Sequence, residues 1–327
     1  MPSRLLFVSE TLQDDPVEGG DVLAQQLANH LVACHSAETY RPISVSGALR
    51  RLARIIPPMP YWKWTQRLEH VVYFPDSGLT RAALCRAFVL WLLLGCPQLD
   101  IVVVAEHYSP TNRIYRLIPS SWAFVSTNPG QLRAYRSAGV TVRDIGPRVD
   151  YRRVAADSLT QADARQELGI TDGPVFLHVG HPTVGRNLVA LAPLAESGQL
   201  VLLLSPFREI EEGALPTGPN VHLVHRRVAN VGSFYRGADV YVFPTYGLLD
   251  VIGLPMSILE ALANGTRVVA RRSQVTARWE DTPGVVLVDS DADLAATALR
   301  YSEILRPTAQ VTPDDCLGDM TVCTDSA

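Results

Sequence analysis

Two stretches in the second half of this 327-residue chain put glycines, cations and a carboxylate where parallel α/β proteins bind anions. The first, from Gly180 and His181 through Gly185, Arg186 and Asn187, follows an apolar strand-like run and opens a helix-like one. A glycine turn at the carboxyl end of a parallel strand brings backbone N–H groups toward a phosphate, and Arg186 adds a forked, permanently charged donor. The residues alone leave an ordinary turn with an exposed arginine equally open, and His181 is ambiguous there. The second stretch runs from Phe243 to Gly265 and reads as strand, glycine-containing loop, Pro255 near the first helical turn, a short helix, and an Asn264-Gly265 stop. Within that helix Glu260 has apolar neighbours, where a carboxylate either turns to solvent or needs a partner.

Other polar groupings carry less. The run from Asp289 through Asp291 to Asp293 invites a metal-carboxylate reading, but it stands at a strand-to-helix junction, where Asp and Ser cap helices. The segment from Arg50 to Arg67 mixes arginines with Tyr61, Trp62 and Trp64 and has no acidic residue, which suits a membrane interface or an anionic acceptor. Its prolines Pro57, Pro58 and Pro60 prevent a continuous amphipathic helix, so a basic surface loop is the competing reading. Net charge of −4 gives no electrostatic case for a nucleic-acid partner. Lys63 is the one lysine, so any phosphate site must be built on arginine. Five cysteines without a CxxC pair point to a reducing compartment and no zinc site.

The elements that position these residues are legible as a rhythm. Apolar runs at 5–8, 71–74, 101–105, 175–179, 200–204, 221–224, 240–243, 268–270 and 285–288 read as buried strands. Helices are expected over 21–34, 80–94, 161–168, 187–195 and 256–263, with another entered after Asp289. This predicts two doubly wound α/β domains, over 1–155 and 156–306, with a disordered tail over 307–327. The apolar window from Ala87 to Leu99 is too short and too broken to span a bilayer, and Met1 runs into a strand without signal-peptide features. A cytoplasmic protein is expected.

Taken together, the stretches from 172 to 300 resemble the second half of family 4 glycosyltransferases, which have the GT-B fold of two Rossmann-like domains facing each other across a cleft. The family's Gly-Arg-x4-Lys pattern appears as Gly180-His181 with Arg186, and its Glu-x7-Glu loop and helix end on Glu260. The segments 234–244 and 261–270 fit in order and spacing. The first half matches more loosely, through Gly19 and Gly20 before a helix and through 144–150 at the junction.

The resemblance implies a retaining, metal-independent transferase that moves a sugar from a nucleotide-sugar donor to an acceptor on the first domain. The donor is then a co-substrate and no cofactor is needed. It further implies donor contacts from Gly19, Gly20, His181, Arg186, Gly253, Leu254 and Glu260, and catalytic roles for His107 and Asp250. Ile252 stands where the family has its first carboxylate, and Asp250, two residues earlier, is the candidate substitute. That departure keeps two alternatives open: a non-catalytic nucleotide-binding relative and a sugar-nucleotide epimerase of the same architecture.

Overall fold

The computed structural model describes residues 5–10, 19–35, 37–40, 68–75, 80–95, 98–103, 115, 117–126, 129–144, 154, 159–170, 172–247 and 255–304. The chain divides into two compact units, with the boundary between Gly146 and Pro147.

In the first unit, β1 (Leu5–Ser9), β2 (Glu38–Tyr40), β3 (His70–Phe74), β4 (Gln98–Val103), β5 (Trp122–Ser126) and β6 (Thr141–Asp144) form one parallel sheet in the order β2-β1-β3-β4-β5-β6. Helix α1 (Gly19–His35) packs Leu23, Leu27 and Leu31 on one face, against Phe7, Val72 and Phe74. Helix α2 (Arg81–Leu94) covers the other face. Its apolar spacing puts Ala83, Leu84, Ala87, Leu90 and Leu94 on one buried stripe. Thr80 caps its start by accepting the Ala83 N–H, and Gly95, at φ 55°, ends it in the left-handed region. Helix α3 (Pro129–Ser137) precedes the edge strand β6.

The second unit begins with α4 (Gln161–Glu167), closed by a capping box between Thr160 and Asp163. Its sheet comprises β7 (Val175–Gly180), β8 (Gln199–Leu204), β9 (Val221–Val224), β10 (Val240–Phe243), β11 (Arg267–Arg271) and β12 (Val285–Val288), all parallel, in the order β12-β11-β10-β7-β8-β9. Helices α5 (Ala192–Ser197) and α8 (Asp291–Ser302) close the core formed by Phe176, Leu200, Leu202, Val240, Val242 and Val269. Helices α6 (Gly232–Gly237) and α7 (Met256–Ala263) complete the unit. No helix among the described residues is long and apolar enough to cross a membrane.

One expectation is corrected. The helix anticipated over 187–195 is a 3₁₀ turn at Val184–Arg186, a second at Leu188–Leu191, and only then the short α5. Asn187, at φ 56° and ψ 36°, and Pro193 at the start of α5 interrupt a continuous α-helical ladder. By contrast α7 has its expected bounds, because Pro255 precedes it and Gly265, at φ 68°, follows it.

Asp239 fastens α4 to the second sheet. Its carboxylate accepts from the Val175 N–H at 2.8 Å, from Gln161 Nε2 at 2.8 Å and from the Arg165 guanidinium. Asp239→Ala strands a backbone donor and a half-buried cation together, so urea denaturation should give a loss of about 2–3 kcal/mol. A loss below about 0.5 kcal/mol, the range of a neutral surface change, would contradict this role.

Candidate functional site at the carboxyl ends of the second sheet

The second sheet reverses its strand order between β7 and β10, which is where open parallel sheets bind ligands. Pairing between these strands stops at Leu177–Tyr241, although β7 stays paired with β8 through Gly180–Leu204 and β10 with β11 through Phe243–Ala270. The imidazole of His178 stands at this opening. Its Nδ1–H donates to the Val242 carbonyl at 3.0 Å, the tautomer that this acceptor demands, and its ring stacks on Tyr241 at 6.2 Å and 12°.

Burial holds His178 down to a pKa of about 3; the Val242 carbonyl opposes this, and the charges of Arg186 and His181 add to it. The ring is therefore neutral beside Arg186 and adds no second charge. A Cβ at Gly180 would lie 2.8 Å from His178 Nε2, so any larger residue here has to displace the buried ring. Tyr241 is pushed up by burial and remains a donor, to Ser257 Oγ at 2.6 Å.

Arg186 is buried, not exposed. Its turn is fixed from three sides. Val184 N–H donates to Glu211 Oε2 at 2.7 Å, Arg186 N–H to the Thr183 carbonyl at 3.0 Å, and the buried Thr245 hydroxyl to the Arg186 carbonyl at 3.3 Å. Glu211 thus takes an N–H that the expected helix start would have turned toward an anion, so the positive charge of this turn rests on the guanidinium. Glu260 is likewise buried, excluding the solvent-facing alternative, and its Oε2 accepts from Tyr235 Oη–H at 2.8 Å. Both Arg186 and Glu260 bear electrostatically on Tyr241.

Of the residues singled out in the sequence, His181, Arg186 and Glu260 lie in this unit around the β7–β10 opening. Gly19 and Gly20 begin α1 in the first unit. His107, Asp250, Ile252, Gly253, Leu254, the segment from Arg50 to Arg67 and the tail over 307–327 lie outside the described residues. The Asp289–Asp293 run serves as a cap and as ion-pair partners. Ser290 Oγ accepts the Asp293 N–H at 3.0 Å, Asp289 pairs with Arg272 at 2.9 Å, and Asp291 pairs with Arg271 at 3.0 Å. Sequence reasoning missed His178 and the tyrosines 235 and 241; a histidine inside the apolar run 175–179 was the available signal.

The His178 shift has a stability consequence. Between about pH 3 and 6.5 the unfolded chain binds a proton that the folded one refuses, so stability falls as pH drops through that window. The limiting slope is about 1.4 kcal/mol per pH unit. Urea midpoints at about pH 7 and pH 5 should converge in His178→Phe relative to wild type; an unaltered pH dependence would contradict the buried neutral state.

Residues 191–303 match the family model described as glycosyl transferases group 1. The matched range includes Tyr235, Tyr241 and Glu260 and begins downstream of Arg186. No curated protein matches the chain in sequence. Among solved structures, HepE of Anabaena in complex with UDP and glucose is 16% identical over 91% of this chain and 89% of its own, with TM-score 0.66. Sucrose-phosphate synthase from Thermosynechococcus elongatus is 18% identical over 91% and 89%, with TM-score 0.62. The catalytic domain of starch synthase IV from Arabidopsis thaliana, bound to ADP and acarbose, is 12% identical over 93% and 92%, with TM-score 0.62. Residues 191–303 thus resemble a group 1 glycosyltransferase domain, within a chain whose two α/β units have the fold of the GT-B glycosyltransferase structures.

Proposed function

We propose that the protein is a retaining, metal-independent glycosyltransferase that takes a nucleotide-sugar donor at the β7–β10 opening of its second unit. The observation that carries this reading is the buried Arg186 at the carboxyl end of β7, in the same unit as the tyrosine-held carboxylate of Glu260. A permanently charged guanidinium is suited to a diphosphate, and a carboxylate to ribose hydroxyls. HepE bound to UDP and starch synthase IV bound to ADP lend support at the level of ligand class.

In this reading Arg186, with His181, stabilises the diphosphate as it departs, the charge developing where a positive group already stands. Neutral His178 supports that turn without adding charge. Glu260 accepts from the ribose, with Tyr235 fixing its orientation. Asp250, Gly253 and Leu254 contact the transferred sugar, and Gly19 and Gly20 keep the donor-binding role that the resemblance gives them. His107 acts on the acceptor, whose hydroxyl attacks from the face the diphosphate leaves. The segment from Arg50 to Arg67 meets the acceptor or an anionic membrane surface. Ile252 is the feature that favours a second reading, a non-catalytic nucleotide-binding relative, and release of free nucleoside diphosphate from a donor separates the two.

Arg186→Ala removes a charge-assisted contact of roughly 1.5–3 kcal/mol, so calorimetric affinity for UDP or ADP should fall about tenfold or more. Glu260→Gln keeps the shape and can still accept from Tyr235, so turnover should fall further than thermal stability. Unchanged diphosphate affinity in folded Arg186→Ala would remove the basis of the assignment.

A further inference from the structure

Tyr246, two residues past the first residue after β10, is 57% exposed, yet it is held in place by a chain of polar contacts. The Arg271 guanidinium at the end of β11 lies over its ring, 5.6 Å from the centroid. Arg271 Nε is 3.0 Å from Asp291 Oδ1, at the start of α8. Asp291 Oδ2 in turn accepts from Asn187 Nδ2 at 3.1 Å. Asn187 is the residue after Arg186, and it has the one positive φ outside glycine among the described residues. The backbone leads to the same place, because the hydroxyl of the preceding Thr245 donates to the Arg186 carbonyl. Both the ring and its main chain are therefore referenced to the turn that carries the diphosphate cation.

A cation on one face of an aromatic ring leaves the other face for solvent or a ligand. The negative face of a ring repels a diphosphate and accepts C–H groups. A pyranose presents such a face of C–H groups, with its hydroxyls at the rim. Tyr246 also stands on the β10 side of the opening and directly precedes the 247–254 segment, to which the donor reading assigns the transferred sugar. The resemblance has a carboxylate at the position of Ile252, so on the donor reading one hydrogen-bonding group fewer serves the sugar and contact with a ring surface adds to what Asp250 supplies.

We infer that the solvent-facing side of the Tyr246 ring is the surface on which the transferred sugar of the donor lies, with Arg271, Asp291 and Asn187 as positioning residues. This rests on the donor reading above and adds to it the residue that distinguishes a nucleotide sugar from its nucleoside diphosphate.

Calorimetry on the full chain with the pairs UDP and UDP-glucose, and ADP and ADP-glucose, tests it. Because the ring is exposed, Tyr246→Ala is expected to fold, and an unchanged diphosphate affinity verifies this. Wild type should prefer the sugar-bearing member of a pair. Tyr246→Ala should lose about fivefold or more of that preference, with diphosphate affinity within about twofold of wild type, and Tyr246→Phe should retain it. Equal weakening of both members of a pair, as for a base stacked on the ring, would overturn the inference, as would no change in either. Diphosphate binding by wild type without preference for the sugar-bearing ligand would overturn it and leave the donor site standing. Failure of wild type to bind any of the four ligands would overturn the donor reading itself, and this inference with it.

Discussion

Everything at the candidate site depends on one interrupted ladder. Two neighbouring parallel strands normally exchange backbone hydrogen bonds along their shared length, and a free carbonyl in the interior is costly. Here β7 and β10 separate after Leu177 and Tyr241, and the His178 ring supplies the Val242 carbonyl with the donor that the neighbouring strand does not. The opening is thereby kept without an orphaned carbonyl. It also explains why Gly180 has no side chain, since the space beside His178 Nε2 is already filled.

The same constraint orders the charges. A buried guanidinium is tolerable only where neighbouring groups do not add to its charge, and burial keeps His178 neutral at physiological pH. Around the Arg186 turn, the Thr245 hydroxyl holds the Arg186 carbonyl and Glu211 accepts the Val184 N–H, while Glu260 is held by Tyr235. The charge is set in place before any ligand arrives, the condition for stabilising a leaving diphosphate without reorganisation. Tyr246 and Asn187 extend this fixed frame across the sheet to β11 and α8.

Much of the frame was legible in the residues, for identifiable reasons. Central strands of a parallel sheet are covered on both faces, so 200–204 and 240–243 read as unbroken apolar runs. The edge strands of the first sheet were not legible, although the edges β9 and β12 of the second were. Strand β2 has three residues, and β6 reads Thr-Val-Arg-Asp, because an edge strand does not need an apolar sequence. Helix α6 is six residues bracketed by glycines, which reads as a turn. At the site, Arg186 and Glu260 were found through motif spacing, but their burial was not, since it is set by residues distant in sequence, such as Thr245 at Arg186 and Tyr235 at Glu260, that no local pattern encodes. His178 was hidden by its apolar neighbours, and its role exists only because two strands distant in sequence part beside it.

The central claim, that the β7–β10 opening receives a nucleoside diphosphate, is tested most directly by hydrogen exchange of the full chain with and without saturating UDP or ADP. The account predicts slowed exchange in the backbone amides of 180–187, 245–247 and 256–261, with the β9 and β12 edges of the same sheet unchanged. Binding of either diphosphate that leaves those segments unprotected, or that protects only amides of the first unit, would contradict it.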